Sequence, residues 1–152
     1  MKFITRSMMI VAGALLICNA AQAQVKPETL VKQRQAVMTL HGKYFYGHLR
    51  PVAQGKMPYD ASRATRAAEF LEALSKMPWD GFAPSTKDVK SGALPAVFSD
   101  TAKFKEAQDR YQSETTKLVS VIKNGDEAAV KAQIGAVGKA CDGCHDNFRE
   151  KQ

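Results

Sequence analysis

Cysteine is scarce: the 152 residues hold only three, too few for the disulfide framework that small exported domains use in place of a large core. No apolar run reaches the about 20 residues that a membrane-spanning helix requires, the longest lying between Met8 and Cys18. No alternating pattern marks a strand and no segment repeats, which excludes an all-β fold and a solenoid. Six prolines and 24% charged residues are too few for a disordered chain. Acidic residues are the minority, 15 against 22 Lys and Arg, leaving a formal charge of +7. Taken alone, that excess points to nucleic acid or an acidic surface.

The amino terminus changes the charge. Lys2 and Arg6 precede the apolar run from Met8 to Cys18, and Ala21-Gln22-Ala23 places small residues where a signal peptidase reads. Residues 1–23 are therefore expected to be a cleaved export signal, with residues 24–152 as the mature domain. Cleavage removes two cations and no anion, so +7 becomes +5. It also removes Cys18, leaving Cys141 and Cys144 in an oxidising compartment. What remains is no nucleic-acid signature and holds no membrane segment; at most it favours an acidic partner.

The mature chain reads as helical. Pro27-Glu28 suits a helix start, and the pattern runs to Arg50 before Pro51 is expected to end it. Leu30, Val37 and Tyr44 mark its heptad, with Arg34, Met38, His41, Phe45 and His48 beside them. A second helix is expected from an Asp60 cap to Lys76 or Met77, with Ala67, Phe70, Leu71 and Leu74 inward. Residues 77–99 carry three prolines and two glycines with no sustained period, a long loop of the kind that usually has a task. A third helix opens at Ser99 or Asp100 with the stripe Phe104, Ala107, Tyr111, Thr115, Leu118, Ile122, and Gly125 ends it. The fourth, capped by Asp126, bears Val130, Ile134, Val137, Cys141, Cys144 and Phe148 at steps of four and three. Four such helices with mostly short connections predict an all-α, antiparallel four-helix bundle.

The last helix contains Cys141-Asp142-Gly143-Cys144-His145, a C-x-x-C-H motif. Two thiols at this spacing can add across the two vinyl groups of a haem, and the adjacent imidazole then reaches the iron. Zinc would need a fourth ligand, from His41 or His48. A thioredoxin-type pair would sit beside a βαβ pattern. A disulfide within one helix constrains almost nothing and has no use for His145. Haem attachment is the reading that employs all three residues.

These residues, together with Arg34-Gln35 and Met38, Met57-Pro58-Tyr59-Asp60, Met77-Pro78-Trp79, Phe98-Ser99-Asp100, Phe104-Lys105 and Val137 through Arg149, resemble the cytochromes c′ of class II. The likeness spans essentially the whole mature chain. It implies a periplasmic haem c protein of a Gram-negative bacterium, often a homodimer through its first two helices. It also implies an arginine at Arg34 near a haem propionate, an aromatic from the Trp79–Phe82 stretch near the haem, and Arg149 close to the proximal face. Met38 falls at the distal position, usually an apolar side chain that crowds the iron, and a ligating methionine in the low-spin branch.

The group opposite His145 decides the function. No methionine comes after it in the chain, so a sixth ligand must come from Met38, Met57, Met77, His41 or His48. A five-coordinate iron behind an apolar wall would bind nitric oxide and carbon monoxide; a Met38–iron bond would make a six-coordinate electron carrier. Either way the expected protein is a binding or transfer protein and not an enzyme. A peroxidase would require a distal acid–base histidine, for which only His41 and His48 are available. The chain departs from the family at Phe98, where tryptophan is common. It also departs in Lys43-Tyr44-Phe45-Tyr46, which is one residue long. In an α-helix one extra residue rotates the rest of the helix by about 100° unless a bulge absorbs it.

Overall fold

The computed structural model describes residues 25–151, so the expected export signal lies outside the described residues. Proline's missing N–H and fixed φ suit a first helical turn, and α1 (Pro27–Tyr44) starts at Pro27. Its inward face is Val31, Arg34, Met38 and His41, continuing to Phe45. The Leu30–Val37–Tyr44 heptad instead lies on the flank and is half-buried. The steps of three and four run from Val31, one position round from where the aliphatic residues alone pointed.

The first helix does not end before Pro51. Phe45–Leu49 form a π-helical turn in which the Arg50 N–H donates to the Phe45 carbonyl, five residues back. Then α2 (Arg50–Ala53) carries the chain through the proline to Gly55, at φ 68°. Inside a helix a proline ring collides with the carbonyl four residues earlier; a widened turn just before it relieves the collision. The surplus residue is thereby taken up locally. Leu49 and Val52 stay in the core, while His48 lies outside the cavity with its Nδ1 3.0 Å from the Lys43 carbonyl.

Asp60 caps α3 (Ala61–Leu74), its Oδ1 accepting from the Arg63 N–H at 2.8 Å. The helix stops two or three residues earlier than expected, and its buried face is Ala64, Ala67, Ala68, Leu71 and Leu74. Phe70 is exposed and stacks on Tyr44, ring centroids 4.9 Å apart. The segment after α3 is more ordered than its composition implied. It makes 3-10 turns at Trp79–Phe82 and Pro84–Thr86 and a short helix, α4 (Ala96–Ser99). It also pairs Ala93 with Arg149 in an isolated antiparallel bridge. Among the described residues there is no β-strand.

Asp100 caps α5 (Thr101–Lys123) and Gly125, at φ 77°, makes the tight turn into α6 (Glu127–Phe148). Asp126 Oδ1 accepts from the Ala128 and Ala129 N–H groups at the head of α6. α1 with α2, α3, α5 and α6 form the four-helix bundle. Its interior divides lengthwise. Thr115, Leu118 and Ile122 of α5 meet Val130, Ile134 and Val137 of α6 in a solid core. Towards the other end, Phe104, Ala107 and Tyr111 face Ala140, Cys141, Cys144 and His145 across a cavity.

Candidate functional site

The cavity measures about 530 Å³, within the range of small-molecule and cofactor sites. α6 supplies one wall with Cys141, Cys144, His145 and Phe148. α1 supplies the facing wall with Arg34, Met38, His41 and Phe45. Helical geometry puts Cys141, Cys144, His145 and Phe148 on one face, at steps of three, one and three. Ala140 and Phe148 are the buried residues of this stretch, and the two cysteines are half-buried because the cavity, not another helix, lies before them.

Both cysteines carry free thiols. Burial pushes Cys141 up to about 12, with Asp142 and Cys144 adding to the rise, and burial also raises Cys144. His145 is lowered by burial first and by the Arg149 charge second, which favours the neutral, metal-ligating imidazole. No group of three or more His, Cys, Asp or Glu side chains placed to hold a metal ion occurs among the described residues, so the zinc reading loses its ligand set.

Several expected residues are placed differently from the simplest expectation. Arg34 is 5% exposed and donates from a guanidinium nitrogen to the Gly81 carbonyl at 2.5 Å, with its carbon 4.3 Å from the centre of the Phe82 ring. It lines the cavity while clamping the loop. Trp79 also lines the cavity, but its indole N–H donates to the Ser75 carbonyl at 2.7 Å. Trp79, Phe82, Phe104 and Phe148 form a chain of edge-on and tilted rings along one side. Arg149 closes α6, its N–H bonded to the His145 carbonyl at 3.1 Å, and lies at the cavity edge.

Of the five candidate sixth ligands, Met38 and His41 are on the cavity wall; Met57, Met77 and His48 are not. His41 is buried, and burial lowers it to about 4 against the opposing pull of the Leu74 carbonyl. Its Nε2 is shut away from solvent and cavity alike and has no hydrogen-bond partner, as is the Tyr111 hydroxyl, whose ring meets His41 edge-on at 5.4 Å.

Sequence reasoning missed three features. Gly81 packs so tightly on α1 that a Cβ there would lie 2.5 Å from Arg34 Cβ and 2.8 Å from the Leu30 carbonyl oxygen. Phe45 turns inward against Gly138, whose added Cβ would lie 3.1 Å from its ring. Tyr46 reaches the cavity mouth. The surplus residue in Lys43-Tyr44-Phe45-Tyr46 is the sequence trace of the last.

Free thiols, a neutral imidazole and aromatic walls around a volume of this size fit a covalently held haem. The sequence profile of the family described as Cytochrome C' matches residues 29–149. The chain belongs to the cytochrome c′ family. Cytochrome c' of Rubrivivax gelatinosus is 42% identical over 127 residues, covering 83% of this chain and 98% of that protein. The nitric oxide complex of a mutant of cytochrome c prime from Alcaligenes xylosoxidans superposes with a TM-score of 0.77 at 39% identity, covering 84% of this chain and 98% of its own. A carbon monoxide-bound variant of the same protein gives the same score and identity. As a member of this family the chain is a haem c protein, and its all-α bundle is the family's fold.

Proposed function

We propose that Cys141 and Cys144 form thioether links to one haem c and that His145 is its axial ligand. We propose further that the iron is five-coordinate, with Met38 facing its open side. The observation that carries this reading is the C-x-x-C-H wall of α6 set across a single cavity from Met38. In each link a thiol adds its sulfur and hydrogen across a vinyl double bond. The bound haem then supplies an iron that exchanges one electron and takes up diatomic gases.

The chain's own side chains set which of these is favoured. Met38, Phe45, Ala107 and Tyr111 present mainly apolar surface to the cavity, admitting small neutral molecules and excluding water. Structures of variants of one relative with nitric oxide and with carbon monoxide bound support binding of the same gases here. Arg34 has N–H groups left beyond the one on Gly81, and they are available to a propionate at the cavity edge. Trp79 and Arg149 complete the rim. Because His41 Nε2 is closed off, it serves as wall and not as a distal acid–base group, which favours a binding or electron-transfer role over a peroxidase. The export signal supports a periplasmic location. The exposed Leu40 and Phe70 of α1 and α3 support pairing of two copies through these helices.

A second reading has Met38 as sixth ligand, since it lines the cavity while the other candidate donor on the wall, His41 Nε2, is closed off. Absorption and electron paramagnetic resonance of the purified ferric holoprotein separate the two. High-spin signals and a ferrous carbon monoxide adduct are expected. Low-spin signals with a methionine charge-transfer band, lost in Met38→Ala, would install the second reading. Haem that stays covalently bound after Cys141→Ser and Cys144→Ser together would refute both.

A further inference from the structure

The π-helical turn has a consequence for the surface. It carries Tyr46 to the cavity mouth, where the ring is 44% exposed and at the same time part of the cavity lining. One side of this aromatic therefore faces the interior and the other faces solvent. Two neighbours contact the ring. The Arg50 guanidinium stands 5.2 Å from its centre and Phe45 meets it edge-on at 5.2 Å. The charged or ionisable groups bearing on its hydroxyl are Cys141, Asp142, Arg50 and Arg149, with burial the larger influence. Cys141, one of the two proposed attachment points, lines the same cavity as Tyr46 and is near enough to act on its hydroxyl.

We propose that Tyr46, flanked by Arg50 and Arg149, is the contact surface through which an anionic redox protein exchanges electrons with the haem. An exposed tyrosine with arginines near it at a cavity mouth has the composition of an interface anchor. Arg50 and Arg149 outnumber Asp142 among the charged groups acting on Tyr46, and with the excess of positive charge on the mature chain they favour a partner of negative surface. One electron passes between the partner's centre and the iron, each being oxidised as the other is reduced. Turns of the π type are frequent at functional sites, and here the turn places an aromatic at the mouth of the cavity.

The inference rests on the haem assignment, and the two fail separately. The test uses the ferrous holoprotein, with haem attachment, far-ultraviolet dichroism and reduction potential checked in each variant. Its oxidation by the trivalent anion hexacyanoferrate(III) is monitored by stopped flow. Removing one positive charge about 10 Å from that ion should slow Arg50→Gln about fivefold at 0.01 M ionic strength and about twofold at 0.1 M. Tyr46→Glu, which adds an anion to an exposed position, should slow it further. Oxidation by a cationic cobalt(III) complex should change in the opposite sense for both. Lys123→Gln makes the same change in net charge near the opposite end of the bundle and sets the background. If Arg50→Gln and Tyr46→Glu track Lys123→Gln with either reagent, the surface is not the port. Loss of covalent haem from the wild-type protein would instead overturn the assignment of Cys141 and Cys144, and the port with it.

Discussion

Replacing Gly81 by alanine tests how the loop and α1 together shape the cavity. Gly81 has no left-handed φ to protect, so alanine is free of backbone strain. On an unconstrained position it would stabilise by about 0.4–1 kcal/mol, by restricting the unfolded chain. The native contacts oppose that gain. The new Cβ would come to 2.5 Å from Arg34 Cβ and 2.8 Å from the Leu30 carbonyl oxygen. Neither atom is the end of a flexible side chain, so the loop must lift from the helix. Overpacking of this kind costs about 1–3 kcal/mol. Lifting also stretches the buried, charge-assisted bond from Arg34 to the Gly81 carbonyl, worth about 1.5–3 kcal/mol. A net destabilisation of about 2–4 kcal/mol is expected. Urea unfolding of the holoprotein, monitored by dichroism at 222 nm (a helix wavelength), should show a midpoint lower by about 1–2 M. Arg34→Ala should be destabilising alone, and the double variant should lose less than the sum of the two. A Gly81→Ala midpoint equal to or above wild type would refute the close approach and the clamp with it.

Protonation of His41 gives a second test. Its folded value of about 4 lies below the ordinary 6.5, so the unfolded state binds the proton more readily. Stability from this group is complete above about pH 6.5 and falls as the pH drops towards 4, by about 2–3 kcal/mol at pH 4.5. His41→Leu should flatten that part of the urea-midpoint profile; an unchanged profile would mean that His41 is not buried neutral. At the other end of the bundle, Asp126→Ala removes the acceptor for two N–H groups of α6. It should cost about 1 kcal/mol, seen as a fall of about 2–8 °C in Tm with no change in the haem spectrum. A shift of the spectrum instead would show that the core and cavity ends are not independent.

Much of the fold was legible because helix ends and faces are local properties. Asp60, Asp100 and Asp126 cap through their own side chains, and Gly125 turns at positive φ, so these boundaries depend only on short stretches of chain. The stripes of α5 and α6 were read correctly because they are mainly apolar and regularly spaced. The face of α1 was misplaced by one position because its inward residues include Arg34 and His41, which composition assigns to solvent. Pro51 was read as a stop because the π-turn that accommodates it is a backbone rearrangement, signalled in the sequence only by the surplus residue before it.

By itself the sequence determined an all-α bundle and a C-x-x-C-H wall on its last helix, since spacing alone places those side chains on one face. It also determined which methionines and histidines could compete for the iron. The family resemblance points to Met38, and the tertiary structure agrees in bringing Met38 to the cavity, adds His41, and leaves Met57, Met77 and His48 off the wall. It alone turned Arg34 onto the loop and closed off His41 Nε2. It alone brought Tyr46 to the cavity mouth beside Arg50. The physical reason is that these outcomes depend on what the rest of the fold places opposite a residue. A helix sets the direction in which a side chain leaves the backbone; packing between distant segments decides whether it meets a cavity, a carbonyl or water.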